Sequence, residues 1–262
     1  MGAVSTTNGR IGLSVAGDGP ATPILFLHGV GSNKSVWSQQ LDHFGATRLS
    51  VAFDYPGYGE SDLVADAGRD DFAAAILAAM DSLGIAKAHV CGLSLGGVIA
   101  IAMHHAAAER IASLILSDTF AVHPDGQAIY DRAVDASASM SMRELAEARA
   151  SLLLGSAASK AIIDEVVDTM SSIDPRAYVL GAKAVWLADQ RDRLSAIRVP
   201  TLVVVGDEDK ITPPALSAEL ASAIDGAQLM TIARSGHLAN LEQPEAFNSA
   251  IDQFLSGIDS KN

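Results

Sequence analysis

The chain has 262 residues, 49% of them hydrophobic and 19% charged, a balance that suits a packed core and excludes a disordered polyelectrolyte. Eighteen basic against 31 acidic residues leave a formal net charge of −13, which repels phosphate backbones and anionic membranes, so neither nucleic acid nor membrane is an expected partner. A single cysteine, Cys91, excludes an intrachain disulfide and a multi-cysteine metal centre. The opening MGAVSTTNGR lacks the basic-then-apolar pattern of a secretory signal and no apolar run reaches spanning length, so a cytoplasmic protein is expected.

In chain order, Asn8-Gly9 favours a tight turn, and residues 10–15 alternate apolar and polar as a short antiparallel start would. Pro23-Ile24-Leu25-Phe26-Leu27-His28-Gly29 is an apolar run stopped by glycine, the pattern of a parallel strand covered on both faces. Similar runs recur at 49–53, 89–91, 114–116, 201–205 and 228–232. Helical patterns alternate with them. Residues 70–83 place Phe72, Ile76, Met80 and Leu83 on one stripe, 95–108 are apolar on several faces, and 213–224 and 244–255 each begin with proline. This rhythm predicts an α/β fold with a doubly wound, mostly parallel sheet.

One stretch breaks the rhythm. From about 120 to 197 there is no strand pattern, but there are helical periodicities at 128–136, 142–154, 160–170 and 175–194. A structureless loop of that length does not fit a compact domain. The expected organisation is a core of residues 1–119 and 198–262 with a helical cap at 120–197 inserted before the last strands.

Chemistry concentrates in three places. Gly92-Leu93-Ser94-Leu95-Gly96-Gly97 joins an apolar strand to a helix, and a nucleophile on so tight a turn needs small neighbours. The helix that follows aims its amide N–H groups at the reacting centre. Serine is a weak nucleophile without a base in reach, and Ser235-Gly236-His237 follows the last strand. A histidine base needs a carboxylate, and Gly206-Asp207-Glu208-Asp209 offers two.

In that order, these segments resemble the α/β-hydrolase superfamily, whose nucleophile elbow is Gly-x-Ser-x-Gly and whose chain order is serine, acid, histidine. Glu242-Gln243-Pro244 after the histidine and Asp54-Tyr55-Pro56-Gly57-Tyr58-Gly59-Glu60-Ser61 after an early strand are similar to family patterns. The resemblance implies Ser94 as nucleophile, His237 as base and Asp209 as acid, since the family spacing Gly-x-x-Asp-x-x-x-Pro selects Asp209 over Asp207. It implies an oxyanion hole from the backbone N–H groups of Val30 and Leu95, with His28 positioning the first of these loops. Asp118, at a place where a few relatives carry the acid, is read as structural. No cofactor or metal is implied.

The loop sequence around Ser94, the cap and the length are most similar to 3-oxoadipate enol-lactonases and allied esterases, which implies a small-molecule ester or lactone substrate cleaved through an acyl-enzyme. Carbon–carbon bond hydrolases of ring-cleavage products, perhydrolysis, and non-catalytic ligand-binding members of the fold are the alternatives. Trp37, Phe120, His123 and Trp186 are the candidate pocket residues. An anionic substrate would want a basic residue, and the cap supplies Arg132, Arg143, Arg149, Lys160, Arg176, Lys183, Arg191 and Arg193. Cys91 is expected to be buried, and His104-His105 lack partners at metal-ligand spacing. The sequence leaves the oligomeric state open.

Overall fold

The computed structural model describes residues 2–259. The Asn8-Gly9 turn closes a hairpin between β1 (Gly2–Thr6) and β2 (Gly9–Leu27), with Gly9 at φ +99°. β2 contains both of the first two strand patterns as two limbs of one bent segment. Its first limb runs against β3 (Arg48–Phe53), pairing Leu13 with Phe53 and Ala16 with Ser50. Its second limb runs along β3, pairing Ile24 with Ser50 and Leu27 with Phe53. The reversal falls at Gly17 (φ +72°) and Gly19, where an added Cβ would lie 2.1 Å from the carbonyl oxygens of Gly45 and Thr47 respectively. Only glycine fits that approach.

Beyond β3 come α2 (Arg69–Ser82), β4 (Ala88–Leu93), α3 (Leu95–Ala106) and β5 (Ile111–Ser117), with α1 (Ser38–Phe44) between β2 and β3. The insert follows as α4 (Gly126–Ser139), α5 (Met142–Leu153), α6 (Lys160–Ser171), α7 (Pro175–Trp186) and α8 (Arg191–Leu194). β6 (Thr201–Gly206), α9 (Pro214–Ala223), β7 (Gln228–Ile232), α10 (Ala239–Glu242) and α11 (Pro244–Asp259) complete the chain. β4 pairs in parallel with the second limb of β2 and with β5, and β6 and β7 extend the sheet, also in parallel. Every residue of β4 and of β6 is buried, because helices cover both faces of the sheet. No helix among the described residues is long and apolar enough to cross a membrane.

Two local expectations need correction. The single helix expected over 175–194 is two, α7 and α8. Between them Gln190 is drawn onto the core, its backbone N–H donating to Ala121 O (2.8 Å) and its side chain to Val98 O (2.7 Å), while Val122 and Asp189 form a bridge. Tertiary hydrogen bonds there override helical periodicity. Pro213 precedes α9 rather than occupying its first turn, which Pro214 fills. The short α1 and α10 carry no periodic signal; buried Gln40 ties them to α11 by donating to Asn240 O and Asn248 Oδ1.

Candidate active site

The strand-to-helix turn after β4 holds Ser94 at φ +55° and ψ −112°, a region that costs a non-glycine residue about 1–3 kcal/mol. Surrounding contacts sustain it. Ser94 N–H donates to Ser117 O (2.8 Å), and Thr119 Oγ1 donates to Ser94 O (2.9 Å). A Cβ at Gly92 would lie 2.2 Å from Gly96 O, and one at Gly96 would lie 2.1 Å from Leu27 O, so the glycines flanking the serine let strand, turn and helix close on one another. The Ser94 hydroxyl is buried and makes no hydrogen bond to any described residue.

The loop after β2 passes directly over this turn, with a Cβ at Gly29 falling 3.4 Å from Ser94 Cβ. The N–H groups of Val30 and Leu95 donate to no backbone carbonyl among the described residues, Leu95 being the first residue of α3. His28 is fully buried, its Nδ1 2.8 Å from Gly29 O, and burial lowers its pKa to about 4, so the ring is neutral at neutral pH. Tyr55 donates its hydroxyl to His28 O (2.9 Å).

The Asp54–Ser61 segment braces the same loop. Asp54 is fully buried and accepts from Lys34 N–H (2.8 Å), Lys34 Nζ (2.6 Å) and Glu60 N–H (3.1 Å). Glu60 lies 2.8 Å from Lys34 Nζ on the outer side. Burial alone would lower the Lys34 pKa, but its hydrogen bonds to the two carboxylates outweigh that and raise it.

At the ends of β6 and β7 the acid and the imidazole meet. His237 Nδ1–H donates to Asp209 Oδ2 at 2.8 Å, with both side chains almost completely buried. Thr212 Oγ1 donates to Asp209 Oδ2 (2.7 Å), and the N–H groups of Ile211 and Thr212 donate to Oδ1 (2.8 and 3.0 Å). Burial pushes the Asp209 pKa up, but the His237 charge and these hydrogen bonds outweigh it, and the net shift is downward. Asp207 is exposed and accepts only a long bond from Ser235 N–H (3.4 Å).

The His237 loop is fixed from the insert. His237 N–H donates to Leu153 O (2.8 Å), and the Glu242 carboxylate accepts from both Gly236 N–H (2.8 Å) and Gly155 N–H (2.7 Å). Glu208 does the same on the acid side, accepting from Ser156 N–H and Oγ.

Asp118 stands closer to this pair than a remote structural residue would. One of its carboxyl oxygens, one Asp209 oxygen and a ring nitrogen of His237 lie within 4.8 Å of one another. It is fully buried at φ +48° and accepts from Ser117 Oγ (2.6 Å) and Gly206 N–H (2.9 Å). Burial, then the neighbouring Asp209 charge, push its pKa well above the usual carboxylate range. With both carboxyls buried and so close together, ionising both at once is disfavoured.

A cavity of about 30 Å³, room for roughly one water molecule, opens beside His237 between Gly29, Val30, Leu93, Val166 and Leu238. Trp37 is not on it. That ring packs in the core against Phe26 (5.1 Å between centroids) and Phe247 (6.0 Å), which corrects its assignment to the pocket. Phe120 and His123 do not line it either. Phe120 is fully buried, stacked on Trp186 (5.8 Å, 15°), and His123 meets both rings edge-on. Trp186 lines a different, larger cavity in the insert. The residues that do face the His237 cavity from the insert, Leu153, Glu165, Val166 and Thr169, carry no signal in the sequence beyond belonging to amphipathic helices.

The chain belongs to the Alpha/beta hydrolase family, whose model matches residues 24–250. It is 27% identical to 3-oxoadipate enol-lactonase 1 of Acinetobacter baylyi over 250 residues, 94% of each chain. Among solved structures it superposes on the enol-lactonase from Burkholderia xenovorans with a TM-score of 0.91 at 25% identity, over 97% of this chain and 99% of the other. The thermophilic esterase from Thermogutta terrifontis matches equally well, with a TM-score of 0.91 at 27% identity and 98% of both chains covered.

Proposed function

We propose that this protein is a serine hydrolase of carboxylic esters or lactones, working through an acyl-enzyme on Ser94 without a cofactor. The observation that carries the reading is the buried Asp209–His237 hydrogen bond, 2.8 Å long, together with a buried, unbonded serine hydroxyl held at φ +55° on a strand-to-helix turn. Asp209 accepts from Nδ1–H, so the imidazole presents its bare Nε2 as the base. The Ser94 hydroxyl turns toward Nε2, gives up its proton and attacks the carbonyl. The oxyanion that forms is held by the N–H groups of Val30 and Leu95, which are spared from backbone pairing. His237 then protonates the leaving alkoxide, and water activated by the same ring releases the acid.

Residues 120–197 act in this reading as a cap. The 30 Å³ space beside His237 is too small for an ester, so α6, which supplies Val166 and Thr169 to it, shifts outward to admit substrate. The enol-lactonase and esterase relatives support esters and lactones as the substrate class. The test is a parallel screen of p-nitrophenyl esters, lactones and ring-fission products with wild type and Ser94→Ala. Wild type turns over an ester or lactone repeatedly, and Ser94→Ala loses at least ~10³-fold while melting within a few degrees of wild type. Near-normal turnover by Ser94→Ala would refute the assignment, and turnover of ring-fission products alone would replace it with carbon–carbon bond hydrolysis.

A further inference from the structure

The cavity that Trp186 lines gathers cations without a carboxylate among the described residues. It encloses about 320 Å³ between α4, α5, α7 and the loop after β6, and Arg132, Arg149 and Lys210 line it over Tyr178, Trp186 and Ile211. No Asp or Glu lines it. Elsewhere on the insert most cations are paired: Arg143 with Glu147 and Asp168, Lys160 with Asp164, Arg176 with Asp174, Arg191 with Asp189 and Arg193 with Asp70, while Lys183 forms no ion pair among the described residues. Arg132 and Arg149 form no ion pair among the described residues, and the hydrogen bond Lys210 makes is a long one to Ser151 O (3.5 Å). In a chain with 31 acidic residues to 18 basic ones, three cations gathered around one cavity without a carboxylate is the arrangement least expected of a merely solvated surface.

The cavity floor is apolar. Trp186 and Tyr178 are buried, and Trp186 is stacked on Phe120. Guanidinium groups present paired donors that match the two oxygens of a carboxylate, and an apolar floor beside them suits a hydrocarbon stem. We propose that this cavity binds an amphipathic organic carboxylate, its anionic head on Arg132 and Arg149 with Lys210 adding charge, and its stem on Trp186 and Tyr178. The carboxylate is either the far end of the hydrolase substrate or product, or a separate ligand. The first source rests on the proposed hydrolase activity; the binding itself does not. The wall residue Ile211 donates its N–H to Asp209, so an occupant would sit one residue contact from the proposed catalytic acid.

The test is titration of the full chain with hexanoate, with hexanol and hexylamine as controls, followed calorimetrically and by Trp186 fluorescence. Saturable binding of hexanoate in preference to both controls is expected, weakened about tenfold or more by Arg132→Gln with Arg149→Gln. The two single variants and thermal melts of all three guard against loss of fold. No saturable hexanoate binding, or binding the arginine variants leave unchanged, overturns the proposal. Inhibition of wild-type turnover of a neutral p-nitrophenyl ester separates the sources: competitive for the far end of the substrate, and without effect on KM for a separate ligand. If wild type turns over no ester or lactone at all, the hydrolase reading fails while the hexanoate titration still decides this one.

Discussion

The loops at the carboxyl ends of β4, β6 and β7 and the helices of the insert above them are built by different rules. In these loops, and in the one after β3, the buried carboxylates are held on several sides: Asp209 accepts three protein hydrogen bonds besides that from His237, and Asp54 accepts three. The insert instead keeps its polar groups at its rim, with ion pairs between exposed side chains and arginines left free. Buried polar networks specify one geometry because each unmade bond costs about 1–3 kcal/mol. Exposed pairs cost little to rearrange, about 0–1 kcal/mol each. The proposed division of labour follows: chemistry needs the fixed part, and admitting substrate to a 30 Å³ space needs the part that can move.

The largest effect expected from breaking this contrast lies at the acid. Asp209→Asn removes the acceptor that sets the His237 tautomer and should lower kcat/KM by about 10⁴-fold. Asp207→Asn, two residues away and exposed, should stay within about twofold. Steady-state kinetics on a p-nitrophenyl ester decides between them, and the reverse ranking would move the acid to Asp207.

Next comes the buried ion pair beneath the loop that carries Val30. Lys34 and Asp54 have side chains only 8% and 0% exposed, so Lys34→Met leaves a buried carboxylate without its cation. The expected cost is about 3–5 kcal/mol, which lowers Tm by on the order of 10 °C. Arg143→Met, which breaks exposed pairs to Glu147 and Asp168 on the insert, should move Tm by no more than about 2 °C. Equal shifts in the two variants, measured by calorimetry, would erase the distinction between the two regions.

The same contrast explains what could be read in the sequence. Strand runs 49–53 and 201–205 are legible because burial on both faces writes itself into composition, and the glycines around Ser94 because close backbone approach excludes any Cβ. Asp209 is separable from Asp207 only through the family spacing, since nothing in the residues themselves says which carboxylate turns inward. The insert's helices are legible as helices, but their faces are not. Trp37 reads as a pocket residue and packs in the core, whereas Val166 and Thr169 read as ordinary helix positions and face the cavity. Amphipathicity states that a face is covered, not what covers it. The break after Trp186 is invisible for a similar reason, since it depends on Gln190 reaching Val98, 92 residues earlier.

The smallest effect on turnover is expected at Asp118, and it is the most discriminating because it concerns which of two neighbouring acids carries the charge. The titratable groups that face Asp118 are Asp209, His237 and Cys91, and its hydrogen bonds come from Ser117 Oγ and Gly206 N–H. A carboxyl whose folded pKa stands above its unfolded one binds more protons in the folded state across the interval between them. Wild type therefore loses stability as pH rises from about 4 toward that higher value, by up to about 1.4 kcal/mol per pH unit. Asparagine has the same shape and no proton to lose. Asp118→Asn should therefore gain stability relative to wild type as pH climbs from 4 to 8, a widening Tm difference visible in melts across that range. Because it replaces a neutral acid with a neutral amide, it should leave the acid limb of the kcat/KM profile within about 0.3 pH units of wild type. A limb shifted down by about a full unit would mean that Asp118 had been a second anion stabilising protonated His237, and the single charge would have to be shared across both carboxylates instead.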